Sequence, residues 1–239
     1  MTSFKVQDTL NLAVNELKNN NRKIVIALSR TNESFISKQM DIQKKKSGDI
    51  LNITYADLLK GYLERTREYS VSVKLKGAKK PIAGTGEKKK VTDQEIVNFG
   101  SQEFLDGYNE LIQRIDADPL LKDIIVNPID AIINGLKAQG IRVGEVTGRN
   151  YTLDSNNTIQ TLNNSAIQKR NRIDEFQDGK LDVLIINESG ATGFSMHADQ
   201  KAKDQRQRHM IIMEPHPNVT TYMQMLGRVF RTGQVVKPV

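Results

Sequence analysis

Three short runs in this chain are apolar through their whole interior, and they limit the fold more tightly than any other feature. Lys23-Ile-Val-Ile-Ala-Leu28, Asp182-Val-Leu-Ile-Ile186 and His209-Met-Ile-Ile-Met213 show no in-out alternation. Each therefore predicts a strand covered on both faces, as in a parallel sheet. Ile141 to Val146 predicts a fourth strand. Helix signals lie between the strands. Val6, Leu10, Val14 and Leu17 recur at helical spacing; Asn127 is an N-cap with Pro128 at the first helical position and Gly140 closing the turn. Ser165 to Phe176 predicts a helix that ends before Gly179, and another helix begins at about Asn218. The Asn- and Thr-rich stretch from Asn150 to Asn164 predicts a surface loop. Strands alternating with helices predict an α/β fold, a parallel sheet with helices on both faces.

One segment does not fit the alternation. Ser34 to Asp123 is an excursion of roughly 90 residues, too long for a plain loop, and its apolar spacing predicts a mostly helical insertion. Much of the formal net charge of +7 sits inside it: Asp41 to Gly100 holds thirteen Lys or Arg against eight Asp or Glu. The runs Lys44 to Lys46 and Lys88 to Lys90 mark its ends. Two readings stand, an ordinary solvated surface or a path for a nucleic-acid backbone. Tyr55, Tyr62 and Tyr69 are spaced to pack one helix face rather than to stack bases. The chain has no cysteine, so disulfides and thiolate metal sites are excluded. It also lacks a long apolar span or a signal-type leader, which predicts a soluble intracellular protein with no membrane partner. The three histidines, His197, His209 and His216, lack ligand spacing, so no metal site is predicted.

The chemistry concentrates near the C-terminus. Gln224, Gly227, Arg228 and Arg231 spell Q-x-x-G-R-x-x-R. On a helix this spacing sets two guanidinium groups one turn apart, either as a solvated basic face or as an arginine finger aimed at a phosphate held by another domain. Upstream, the predicted strand Asp182 to Ile186 runs into Asn187-Glu-Ser-Gly-Ala-Thr-Gly-Phe-Ser-Met-His197, a glycine-bearing loop where open α/β sheets place their sites. Gly190 and Gly193 permit close backbone approach, and Ser189, Thr192 and Ser195 offer hydroxyls suited to phosphate or ribose oxygens.

This order resembles motifs V and VI of superfamily 2 helicases and translocases. The wording from Glu188 to Asp199 and from Gln205 to Pro215 is similar to the strawberry-notch-like branch of that family. Lys23 to Glu33 resembles the first strand and motif IV loop of the second RecA-like lobe. Asn127 to Asp130 with Gly140 to Arg149 resembles a helix, strand and T-G-R turn of the same lobe, and Arg172 to Ile185 resembles the segment ahead of motif V. No G-x-x-x-x-G-K-[ST] loop and no D-E-x-H box occurs; Gly84 to Lys89 has the wrong spacing. In the family those elements lie in the first lobe.

The resemblance therefore implies a C-terminal RecA-like P-loop-NTPase lobe carrying a basic helical insertion. Residues 1–33 and 124–239 would form the lobe and 34–123 the insertion. Val235 to Val239 would begin a further strand, as in a fragment or half of a split ATPase. It further implies ATP as cofactor, shared with a first lobe in cis or in trans that would also hold Mg²⁺. Arg231 and Arg228 would face the γ-phosphate, Gln224 would order water or phosphate, and Gly193, Ser195 and Gly227 would lie at the nucleotide. Many superfamily 2 proteins carry an acidic residue where Ser195 stands. Thr31, Thr147, Arg149 and Thr192 would contact nucleic-acid phosphates, on DNA rather than RNA. The alternative is a basic module that retains the lobe's fold and binds nucleic acid or protein without turning over ATP.

Overall fold

The computed structural model describes residues 2–66, 102–188 and 193–239. It divides into two compact units, Met1–Asn52 with Ile125–Val239, and Ile53–Ile124.

The larger unit is built on a parallel sheet of four strands, β1 (Lys23–Ala27), β2 (Val143–Val146), β5 (Val183–Ile186) and β6 (Arg208–Ile212), in the order β2-β5-β1-β6. Ile24 to Ala27 pair with Val183 to Ile186 on one side, and Lys23 to Ala27 pair with Arg208 to Ile212 on the other. Every residue of β1 and β5 is buried. Side-chain alternation divides these residues between two cores. Ile24, Ile26, Val183 and Ile185 pack with Val6 and Ala13 of α1 (Val6–Lys18) and with Ile129, Ile132 and Leu136 of α6 (Pro128–Ala138). Val25, Ala27, Leu184 and Ile186 pack with Ile173 and Phe176 of α7 (Ala166–Gln177) and with Met225 of α8 (Val219–Leu226). The expected α/β architecture, helices on both faces of a parallel sheet, is thus present.

Local chemistry sets the helix limits. The side chains of Asn127, Ser165 and Asn218 each accept from the backbone N–H three residues on, satisfying one donor that a helix N-terminus leaves open. Gly140 and Gly179 follow their helices at φ of 75° and 82°, a region glycine enters without steric cost.

Two expectations are corrected. Asn150 to Asn164 is not plain loop: β3 (Tyr151–Leu153) and β4 (Ile159–Thr161) form an antiparallel hairpin whose Leu153 and Ile159 are buried. The strands have three residues each, too few for a legible period, and Asp154 closes the turn by accepting from the N–H groups of Asn156 and Thr158. The segment before Asn52 also packs differently from the expected boundary at Ser34. Helix α2 (Glu33–Ile42) belongs to the larger unit, and Leu51 is stitched to the hairpin through its N–H to the Asn157 carbonyl at 3.0 Å. Beyond β6, Val239 donates to the Arg208 carbonyl and accepts from the Met210 N–H, which places it in parallel register on the strand's outer edge.

The smaller unit contains α3 (Tyr55–Thr66), α4 (Gln102–Ala117) and α5 (Leu120–Asp123). Thr54 and Asp57 cap α3 reciprocally, each side chain accepting from the other's N–H. Lys60 reaches Asp116 at 2.7 Å and ties α3 to α4. Tyr69 and the Lys88 to Lys90 run lie outside the described residues.

Candidate phosphate-binding site

The C-terminal ends of β1, β2 and β5 carry most of the residues singled out from the sequence, where a parallel sheet offers its loops to a ligand. Helix α8 stops at Leu226 with Gly227 as its C-cap, so Arg228 and Arg231 lie past the helix rather than on it. The turn is held by N–H groups of Arg228, Val229 and Phe230 donating to the Met225 and Leu226 carbonyls, and by the fully buried Val229. Gln224 is exposed on α8.

Arg228 and Arg231 both reach across to the loop that follows β5. Arg228 Nη1 donates to the Phe194 carbonyl at 3.2 Å, and the Met196 N–H donates to the Arg228 carbonyl at 2.8 Å. Arg231 donates from Nε to the Gly227 carbonyl at 3.1 Å and from Nη1 to Ser195 Oγ. Gly193, at φ of 84° with open space where a Cβ would stand, turns the loop towards these groups. Among the described residues neither guanidinium has a carboxylate partner, whereas Arg142, Arg149 and Arg206 each have at least one. Burial, and then repulsion from Arg231, pulls the Arg228 pKa below the ordinary arginine range. Two guanidiniums with no carboxylate partner among the described residues have the chemistry to take an oxyanion.

Residues 127–239 match the family described as the C-terminal domain on strawberry notch homologue. Strawberry notch homolog 1 of Gallus gallus is 28% identical over 162 residues, covering 62% of this chain and 12% of that protein. The Homo sapiens protein of the same name is 28% identical over 162 residues, 62% of this chain and 11% of its own length. FORGETTER 1 of Arabidopsis thaliana is 33% identical over 126 residues, 47% of this chain and 9% of the relative. This chain is therefore similar, over residues 127–239, to the helicase-like C-terminal domain of strawberry notch proteins. It spans about a tenth of the length of these relatives. No solved structure matches it.

The larger unit holds Met196 from beneath by a buried network that the sequence did not reveal. Arg208, 1% exposed, donates to the carbonyls of Asp204 and Met196 and to Gln177 Oε1. The Met196 peptide is therefore gripped on both sides, by Arg208 at its carbonyl and by the Arg228 carbonyl at its N–H. Lys23 is fully buried, 3.0 Å from Asp204, with its ammonium over the Phe176 ring. Burial pulls Lys23 down to about 8 and Arg208 to about 10. The Asp204 carboxyl is held well below the usual range; burial opposes this, but hydrogen bonds from Arg206 and Lys23 outweigh it. The only sequence signal was the polar run ahead of β6, where a parallel strand should begin dry.

Thr147 and Arg149, expected at nucleic-acid phosphates, are both fully buried. Arg149 donates to Glu145 at 2.6 and 2.8 Å and to Asp130, and Thr147 Oγ1 donates to Glu145. Burial opposes the charge on Arg149, yet Glu145 and Asp130 raise its pKa above the ordinary arginine value. In this arrangement neither side chain presents itself to a phosphate; both brace the loop after β2. Gly148 N–H is what faces across the sheet, to Asn187 Oδ1 at 3.1 Å. Thr31 is half-buried between β1 and α2, and Thr192 lies outside the described residues.

Proposed function

We propose that this chain is the C-terminal lobe of an ATP-dependent helicase or translocase acting on DNA. Its part is to present Arg231 and Arg228 to a triphosphate that a first lobe binds with Mg²⁺. The observation that supports this most strongly is the arginine pair itself: close in the chain, fixed by main-chain carbonyls and a hydroxyl, and lacking a carboxylate partner among the described residues. Bound ATP would supply the phosphoryl group. This chain's residues would stabilise charge on it, with Gln224, exposed beside the pair, ordering water or phosphate, and the Gly193 turn admitting the nucleotide. The formal net charge of +7 favours a nucleic-acid backbone as the second partner.

The test is ATP hydrolysis by this chain joined to a strawberry notch first lobe, with and without duplex DNA. Arg231→Ala should lower kcat by about 10³-fold, the lower end of what an arginine finger contributes. Retention of wild-type kcat in Arg231→Ala, or DNA binding with no hydrolysis in the joined protein, would replace this reading with that of a non-catalytic basic module.

A further inference from the structure

The partner of Arg231 at the mouth of this site is a hydroxyl. Ser195 Oγ accepts from Nη1, the Gly227 carbonyl accepts from Nε, and the Arg231 N–H is held by Gln234 Oε1 at 3.3 Å. A guanidinium carries five N–H bonds. Two are used here, which leaves one on Nη1 and both on Nη2 for a phosphate, the paired geometry in which arginine binds oxyanions best. A carboxylate in place of Ser195 would orient the guanidinium as well, but would cancel its charge. A hydroxyl orients it and leaves the charge intact.

We propose that Ser195 is the positioning residue of the arginine pair: it fixes the Arg231 guanidinium in a phosphate-ready orientation without neutralising it, so that this chain presents a preformed anion site before any nucleotide arrives. The proposal rests on the reading of Arg231 as a phosphate ligand. It is consistent with the rest of the loop, since Phe194 and Met196, the residues on either side of Ser195, are bonded to Arg228. Residues 194–196 and the turn after α8 are thus joined by hydrogen bonds, and Ser195 is the side-chain contact to Arg231.

The experiment follows two quantities in the chain itself. The first is the rate at which phenylglyoxal modifies Arg231, read by peptide mass mapping; the second is the affinity for inorganic pyrophosphate at low salt. Ser195→Ala should speed modification of Arg231 about fivefold, the effect of losing one ordinary hydrogen bond at an exposed side chain, and Ser195→Thr should restore the slow rate. Ser195→Asp should keep modification slow yet weaken pyrophosphate binding by at least about tenfold, because the new carboxylate occupies and neutralises the guanidinium. An unchanged modification rate in Ser195→Ala, or wild-type pyrophosphate affinity in Ser195→Asp, overturns the proposal. Both readouts are independent of hydrolysis. A joined two-lobed protein that hydrolyses ATP normally as Arg231→Ala would refute the arginine-finger reading while leaving these rates as they were measured.

Discussion

Replacing Arg149 with Met should destabilise the larger unit more than any surface change, and the size of the loss follows from what the arginine leaves behind. Asp130 and Glu145 are 7% and 5% exposed, and Arg149 is their only cationic partner among the described residues. Each carboxylate keeps one other hydrogen bond, Asp130 from the Leu153 N–H at 2.7 Å and Glu145 from Thr147. Asp130 can also escape the buried charge by taking up a proton, which costs about 4 kcal/mol at pH 7 from the ordinary aspartate pKa. The net loss is therefore about 3–5 kcal/mol, the range for breaking a buried ion pair from one side. For a chain of this size that lowers Tm by about 10 °C. The deficit must depend on pH. In the variant the Asp130 carboxyl, raised by burial and no longer lowered by Arg149, has a folded pKa above the unfolded one, so its contribution is fully present below the unfolded pKa and is lost as pH rises through the folded one. Between pH 7 and pH 5 the deficit should shrink by about 2–3 kcal/mol, since protonating Asp130 becomes cheaper by about 1.4 kcal/mol per pH unit. Urea unfolding of both proteins at the two pH values measures this. A deficit below about 1 kcal/mol at pH 7, or one independent of pH, would refute the argument that two buried carboxylates depend on Arg149.

Other consequences are smaller but specific. Because burial holds Lys23 at about 8, the unfolded chain binds its proton more tightly, and stability should rise between pH 8 and pH 10; this rise should disappear in Lys23→Met when the two unfolding profiles are subtracted. Asn218→Ala removes the cap of α8 and should cost about 1 kcal/mol in chemical unfolding, with no comparable loss in Asn218→Ser. Gly193→Ala meets no atom within 4 Å, so its cost should be the backbone penalty alone, about 1–2 kcal/mol; a larger loss would show that the loop is packed more tightly than described. Leu153→Ala should cost about 2–5 kcal/mol in the same assay, since the side chain is 5% exposed in the hairpin that anchors Leu51.

The sheet was legible because burial on two faces writes an unbroken apolar run, as in Val183 to Ile186, and the caps at Asn127, Ser165 and Asn218 marked the helices from chemistry local to each end. The hairpin was not legible: three residues per strand carry too little pattern, and its register is set by Asp49 and Leu51, more than 100 residues away in the chain. Within the candidate site, Arg228 and Arg231 were legible from their spacing, although the helix that spacing suggested ends before them. The roles of Arg149 and Lys23 were not, because charged side chains read as exposed unless their partners are known. Asp130 and Glu145 lie 19 and 4 residues before Arg149, and Asp204 lies far down the chain from Lys23. Only the fold brings them together.

Whether Arg228 and Arg231 form one anion site can be measured by following the side-chain Nε–H resonances of the arginines by NMR while adding pyrophosphate or ATP to this chain at low salt, with assignments from Arg→Lys variants. Arg228 and Arg231 should move together along one saturating curve, while Arg149, already paired with two carboxylates, stays still. Resonances of Arg228 and Arg231 that remain unmoved, or that shift no more than that of the exposed Arg142, would contradict it.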